Sequence, residues 1–187
     1  RIEMSRPTPA LTDAMARDTI ADVIRTAGAA EGAAPMNDSD GMDDRDGNDR
    51  AVRLLQQAYE RQRAGDLKEA IRLYKASIAL RPTAEAHTYL GWTYSFMHRY
   101  QEAIRECKVA ILVDPEFGNP YNDIGSYLIQ KGELEKAIPW LELAKKAPRY
   151  EPRHFPYLNL FRVYIKQGRL DAAQREFEQA RFIQQTV

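Results

Sequence analysis

The chain has 187 residues, of which 44% are apolar, and its 27 basic and 27 acidic side chains balance. This length allows one sizeable core and is too short for several independent domains, and the balanced charge gives no indication of nucleic acid as a partner. No apolar stretch approaches the roughly 20 residues that span a bilayer, and the N-terminus lacks the apolar segment of a secretion signal. We therefore expect a soluble, cytoplasmic protein without membrane insertion.

The first 49 residues are predicted to form an N-terminal extension ahead of the main domain, and Met4 is a candidate for the natural start. A short helix is predicted over residues 11–27, because five apolar side chains would lie along one of its faces: Ala16, Ile20, Val23, Ile24 and Ala27. Residues 28–49 are rich in Gly, Ala, Asn and Asp, which predicts an acidic, disordered linker. The acidic run from Asp38 to Gly47 lacks the glycine spacing of a calcium-binding loop, so no metal site is expected there.

The rest of the chain is repetitive. The block that begins at Gly65 recurs with its first residue at His98, Gly132 and Gly168, which gives offsets of 33, 34 and 36 residues. Each block lies between two amphipathic patterns, which predicts a unit of one helix, a tight turn and a second helix. Such a turn needs a residue in the left-handed region of backbone space. Glycine suits that position in three units, and His98 is expected to adopt the same conformation in the second unit.

The repeated unit resembles the tetratricopeptide repeat, whose pattern is Trp-x2-Leu-Gly-x2-Tyr followed by Ala, an aromatic residue, Ala and Pro. The clearest match is the second unit, with Leu90, Gly91, Tyr94, Ala103, Ala110 and Pro115. The other units match at Ala58, Ala70, Tyr74 and Pro82, then at Tyr121, Ile124, Gly125, Leu128, Ala137, Leu141 and Ala144, and last at Tyr157, Leu160, Tyr164, Ala173, Phe177 and Ala180. The resemblance extends over about residues 50–184 and implies an all-α fold. The implied architecture is an α-α superhelix of four helical hairpins behind a largely disordered N-terminal extension.

The resemblance also implies where the repeats begin and end. Within a domain of residues 50–187 we expect four repeats at approximately 51–83, 84–117, 118–153 and 154–187. Asp66 and Thr83 are predicted to cap the helices that follow them. The junction between the third and fourth units is expected to be distorted by Pro148, Pro152 and Pro156. Cys107 is the only cysteine and lies on the predicted core face, so a buried thiol is expected and no intramolecular disulfide can form.

In the family that the chain resembles, the first helix of each repeat lines the concave surface, which implies a groove opposite the packing stripe. The predicted partner-binding residues are Tyr59, Tyr89, Trp92, Phe96, Asn122, Asp123, Asn159, Arg162 and Lys166. This groove changes from aromatic to polar to basic along the chain. An alternative is that Tyr89, Trp92 and Phe96 pack against neighbouring first helices. Asn119 is expected to cap the helix that contains Pro120 and not to contact a ligand.

No set of side chains in the sequence has the spacing of a catalytic site. Each of the three histidines falls at a packing, turn or linker position, and no Gly-rich phosphate loop or metal-ligand spacing is present. We therefore predict no catalytic residues, no cofactor and no metal. The resemblance implies a non-enzymatic interaction module, an adaptor or scaffold, that binds a peptide or a partner protein in its groove.

A second interpretation stays open, namely a small helical-repeat chaperone for secretion or assembly that dimerises through its N-terminal segment. The two interpretations differ in oligomeric state, since the first describes a monomeric adaptor. Some members of the family clamp a peptide's C-terminal carboxylate with two Lys, two Asn and one Arg on successive first helices. Neither possible alignment of the helices places that set here, so recognition of chaperone tails by this route is not expected.

Overall fold

The computed structural model describes residues 43–186, which form eight α-helices and no strand within that range. The helices are α1 (Asp43–Arg63), α2 (Leu67–Leu80), α3 (Ala84–Phe96), α4 (Tyr100–Val113), α5 (Asn119–Gln130), α6 (Leu134–Lys146), α7 (Phe155–Lys166) and α8 (Leu170–Thr186). Consecutive helices pair as antiparallel hairpins, and each hairpin stacks on the next. The predicted all-α superhelix of four hairpins is confirmed. The predicted helix over 11–27 and the linker up to residue 42 lie outside the described residues.

The four turns inside the hairpins share one backbone conformation. Gly65, Gly132 and Gly168 have φ angles of 81°, 78° and 70°, and His98 has a φ of 57°, as the repeat alignment predicted. In each turn, the next residue's amide donates to a carbonyl five positions earlier, for example from Arg99 to the Tyr94 oxygen at 3.0 Å. This bond satisfies a carbonyl that the end of the helix would otherwise leave unpaired.

The first helix begins earlier than the sequence predicted. We expected the linker to continue to residue 49, whereas α1 starts at Asp43, so residues 43–49 are helical. Contacts at the end of α2 stabilise this first helix, because the Ser77 hydroxyl donates to the Ala51 carbonyl at 2.8 Å and the C-cap residue Arg81 donates to the side chain of Asn48, which lies within the added length. Composition alone cannot reveal such tertiary contacts, which outweigh weak local helix propensity.

Small residues set the distance between the two helices of a hairpin. A Cβ added to Gly125 in α5 would lie 2.5 Å from Cδ2 and 2.6 Å from Cγ of Leu141 in α6. Leu141 is fully buried, as are Cys107 and Leu160. The predicted buried thiol is confirmed, and burial raises the pKa of Cys107 well above its usual range. The core therefore combines close backbone approach with large side chains that fill the space between the helices.

The three connectors between hairpins become longer along the chain, from residues 81–83 to 114–118 and then 147–154. The second and third connectors pair with each other. The Gly118 amide donates to the Arg149 carbonyl at 2.9 Å, and the Arg149 amide donates to the Glu116 carbonyl at 3.1 Å. The distorted junction predicted from the three prolines is confirmed, and residues 147–154 are held against the edge of the superhelix.

Arg149 fastens the third connector to the second hairpin and to the second connector. Its guanidinium donates to Glu85 at 2.8 Å and to Asp114, and it lies 4.4 Å from the centre of the Phe117 ring. The hydrogen bond from Arg149 lowers the pKa of Asp114 below its usual range. Glu85 stands at the start of α3, so one side chain joins residues that are 64 positions apart.

Candidate functional site

Aromatic side chains follow one another along the concave face of α1 and α3. The Tyr59 and Tyr89 rings are 5.8 Å apart, and the Tyr89 and Trp92 rings are 5.0 Å apart. Tyr89 and Trp92 are half-buried and pack against the core, whereas 41% of Tyr59 and 58% of Phe96 are exposed. The alternative that the rings pack against the core therefore holds for Tyr89 and Trp92, whereas the rings of Tyr59 and Phe96 are accessible at the surface.

Beyond these aromatics the concave face contains a pocket of about 410 Å³. Three first helices and the third connector line it with Trp92, Asn119, Asn122, Asp123, Ser126, Tyr150, Glu151, Pro152, Phe155, Leu158, Asn159 and Arg162. The pocket brings together five of the nine predicted groove residues, and the other four, Tyr59, Tyr89, Phe96 and Lys166, lie outside it.

A chain of polar contacts crosses the floor of the pocket. The Arg162 guanidinium reaches the Asn159 amide oxygen at 3.5 Å, and the Asn159 amide nitrogen donates to the Asn122 oxygen at 2.9 Å. At the other end, the Trp92 indole N–H donates to the Asp123 carboxylate. Asn122 and Asn159 are more than nine-tenths buried. The pocket thus presents fixed amide groups between a carboxylate and a guanidinium.

Asp123 is a carboxyl group of the pocket whose pKa is strongly perturbed. Burial raises its pKa to about 7, although hydrogen bonds from Trp92 and Asn122 lower it in part. An aspartate with a raised pKa contributes stability that is present below its unfolded pKa and is lost as the pH rises through the folded value. The folded protein is therefore least stabilised by this group near and above neutral pH.

The variant Asp123→Asn should be more stable than the wild type by about 2 kcal/mol near pH 8, because the amide removes the cost of a buried charge and still accepts from Trp92. The difference should vanish near pH 4, where the wild-type carboxyl is protonated. Urea unfolding at several pH values measures both quantities. The exposed substitution Glu178→Gln is the matched control, and equal stability of Asp123→Asn and wild type at every pH would contradict the expectation.

Several pocket residues were not anticipated. Tyr150, Glu151 and Pro152 belong to the third connector and Leu158 to α7, and the repeat pattern assigns none of them to the groove. The sequence signals that point to this connector are the two extra residues in the last repeat offset and the three prolines of the junction. Asn119 was expected to cap α5, which is wrong, because the cap is Gly118 without a side-chain bond. Its amide instead reaches the Glu151 carbonyl at 3.5 Å, since the third connector lies beside it.

Metal-binding groups and membrane-spanning helices are both absent from the region that the structure describes. Among residues 43–186, no group of three or more His, Cys, Asp or Glu side chains could hold a metal ion. None of the helices in that same range is both long and apolar enough to cross a membrane.

Comparison with known proteins identifies relatives of the repeats. Family models described as "Tetratricopeptide repeat" match residues 55–111 and 119–149. A TPR repeat-containing thioredoxin of Arabidopsis thaliana, TTL4, is 28% identical over 132 residues, which are 68% of this chain and 18% of that protein. An uncharacterized protein of Haemophilus influenzae is 25% identical over 97 residues, 52% of this chain and 54% of that protein. The chain thus spans about half or less of the length of these curated relatives.

Solved structures with the same fold include PilF of Pseudomonas aeruginosa, with a TM-score of 0.68 and 20% identity over 73% of this chain and 62% of that one. A crystal structure of MamA has a TM-score of 0.65 and 19% identity over 97% of this chain and 98% of its own. The first TPR of Spaghetti (RPAP3), bound to the HSP90 peptide SRMEEVD, has a TM-score of 0.59 and 16% identity over 65% of this chain and 95% of its own.

Proposed function

Because the chain belongs to the tetratricopeptide-repeat family, we propose that it is a non-enzymatic interaction module that binds a peptide or partner protein along its concave face. The observation that carries this proposal is the pocket, in which residues of α3, α5 and α7 converge on one concave site. Two buried amides, Asn122 and Asn159, suit a peptide backbone, which offers both donors and acceptors. Half-buried and exposed aromatic rings extend the site toward α1.

Two solved neighbours with this fold are bound to a peptide, since the first and second TPR of Spaghetti each hold the HSP90 peptide SRMEEVD. They support the capacity of stacked helical hairpins to hold a peptide. The present chain lacks the two Lys, two Asn and one Arg of a carboxylate clamp at the aligned positions. We therefore propose that it recognises side chains and backbone of its partner through the aromatic surface and the pocket.

Selection from a library of random peptides displayed on phage tests the proposal directly. The full chain is immobilised, bound peptides are enriched, and the strongest are synthesised and titrated against the protein by calorimetry. We expect peptides whose binding protects the amides of α3, α5 and α7 from hydrogen exchange. Protection confined to the second helices of the hairpins, or no enriched peptide, would contradict binding at the concave face.

Phe96→Ser should weaken binding of a selected peptide about tenfold, because an exposed aromatic ring supplies large contact area at low entropic cost. Since 58% of Phe96 is exposed, the substitution should leave the free energy of unfolding nearly unchanged. Leu112→Ser is the matched control, because Leu112 is 40% exposed and lies on α4, a second helix. Equal affinity losses for the two variants would argue against a role of the concave face.

A further inference from the structure

Asp123 is an acidic side chain that has no positive partner among the residues that the structure describes. It is half-buried in the pocket, and its carboxylate is stabilised by the neutral groups of Trp92 and Asn122. No Lys, Arg or His among residues 46–186 forms a salt bridge with it. A carboxylate that is partly removed from water without a cation is costly. A ligand that brought a positive charge would relieve that cost.

The walls around Asp123 also suit a cation. Trp92, Tyr150 and Phe155 line the pocket, and aromatic rings attract positive groups through the negative face of the ring. Glu151 adds a second carboxylate at the rim, where its side chain is 74% exposed, and its nearest cation, Arg153, is 3.8 Å away. The long methylene stem of a Lys or Arg side chain can lie along the rings while its charged end reaches the carboxylates.

We propose that this pocket holds a Lys or Arg side chain of the bound polypeptide, with its positive charge beside Asp123. The inference rests on the proposed function, since it names what the concave face would recognise in its partner. Asn122 and Asn159 would then bond the backbone next to that side chain.

Arg162 lies at the opposite end of the pocket floor and could attract an acidic group of a ligand instead. The surroundings of Asp123 and Arg162 decide whether a basic or an acidic group is favoured. Arg162 is exposed, and its guanidinium contacts the Asn159 oxygen at 3.5 Å. An exposed charge is already solvated and gains little from an ion pair. Asp123 is partly desolvated before any ligand arrives, so a cation gains more at Asp123 than an anion gains at Arg162.

The charge state of Asp123 makes the proposal dependent on pH. Burial raises its pKa to about 7, so the carboxylate ionises as the pH rises through neutrality. The other titratable groups that face it are Cys107 of α4, Tyr127 of α5, Tyr150 and Glu151 of the third connector, and Arg162 of α7. Burial raises the pKa of Cys107, Tyr127 and Tyr150 as well, so these three stay neutral over that range. Affinity for a basic side chain should therefore increase with pH.

The experiment uses the full chain and peptides from the phage selection. We expect the enriched peptides to share a Lys or Arg at one fixed position. Replacing that residue by norleucine, which keeps the methylene stem and removes the charge, should weaken binding about tenfold or more. Asp123→Asn should produce a similar loss and abolish the increase of affinity with pH, whereas Arg175→Gln, at an exposed residue of α8 outside the pocket, should change affinity less than threefold.

Other outcomes separate this inference from the proposed function. Peptides that protect the concave face but carry a conserved acidic residue, and that lose affinity in Arg162→Gln, would overturn the basic-side-chain proposal and leave the interaction module standing. Norleucine peptides that bind the wild type as well as their Lys counterparts would overturn it in the same way. If no peptide is enriched on the concave face, both proposals fail together.

Discussion

Replacing Gly125 by alanine is expected to lower the free energy of unfolding by about 2–3 kcal/mol, because the added methyl group overpacks a full core. The new Cβ would lie 2.5 and 2.6 Å from Cδ2 and Cγ of Leu141, and Leu141 is completely buried and has no room to retreat. Helix propensity opposes this effect, since alanine in a helix is favoured over glycine by about 1 kcal/mol. Urea unfolding followed by circular dichroism measures the net change.

Gly47 offers a matched control for the same substitution. It lies in α1, and no atom would come within 4 Å of an added Cβ. Gly47→Ala should therefore stabilise the protein by about 0.5–1 kcal/mol through helix propensity alone. In a double-mutant cycle, Leu141→Ala should cost less in the Gly125→Ala background than in the wild type, because it removes both atoms that the new methyl group would overlap. Stabilisation by Gly125→Ala, or strict additivity in the double variant, would contradict the packing explanation.

Replacing Gly118 by alanine should displace the third connector and weaken peptide binding tenfold or more, by about 1.4 kcal/mol at least. The added Cβ would lie 2.4 Å from Cβ of Tyr150 and 2.9 Å from Cβ of Ala147, and a Cβ atom cannot move without the backbone. Because Tyr150 and its neighbours form one wall of the pocket, their displacement opens the site. The φ of Gly118 is −78°, so the substitution introduces no backbone strain of its own.

Tryptophan fluorescence can detect this displacement without a ligand. The chain has two tryptophans, Trp92 at the pocket and Trp140 in the core. In a Trp140→Phe background the emission of Trp92 should shift to longer wavelength when Gly118→Ala admits water to the pocket. Unchanged emission together with unchanged peptide affinity would show that the connector adapts to the methyl group without opening the site.

The fold was predictable because the repeat encodes it locally. The pattern that is clearest at Leu90, Gly91 and Tyr94 is repeated in part by the other units at a fixed distance from the turn, and that relation specifies both the hairpin and its stacking. His98 was predictable for the same reason, since a position that needs positive φ is defined by its neighbours in the alignment. The start of α1 was not, because contacts with Ser77 and Arg81 extend the helix beyond what composition indicates.

The candidate site was predictable only in part. Helical geometry places Trp92, Asp123 and Asn159 on the same face of successive first helices, and the pocket brings them together. The third connector carries no periodic pattern, so its contribution to the wall could not be read from the repeat. Nor does the sequence reveal how far Asp123 is desolvated, because that depends on the side chains that surround it in three dimensions.

The packed helices determine the fold, whereas the connectors, which differ in length, can influence which partner the pocket accepts. Helix packing within and between hairpins follows from the repeat pattern, whereas residues 147–154 belong to no helix and are secured by Arg149 and by hydrogen bonds to the second connector and the start of α5. Insertions, deletions or substitutions there can reshape a wall of the pocket while the supporting helices keep their arrangement. Variation in that single segment is thus a route by which related chains can acquire different partners on one unchanged scaffold.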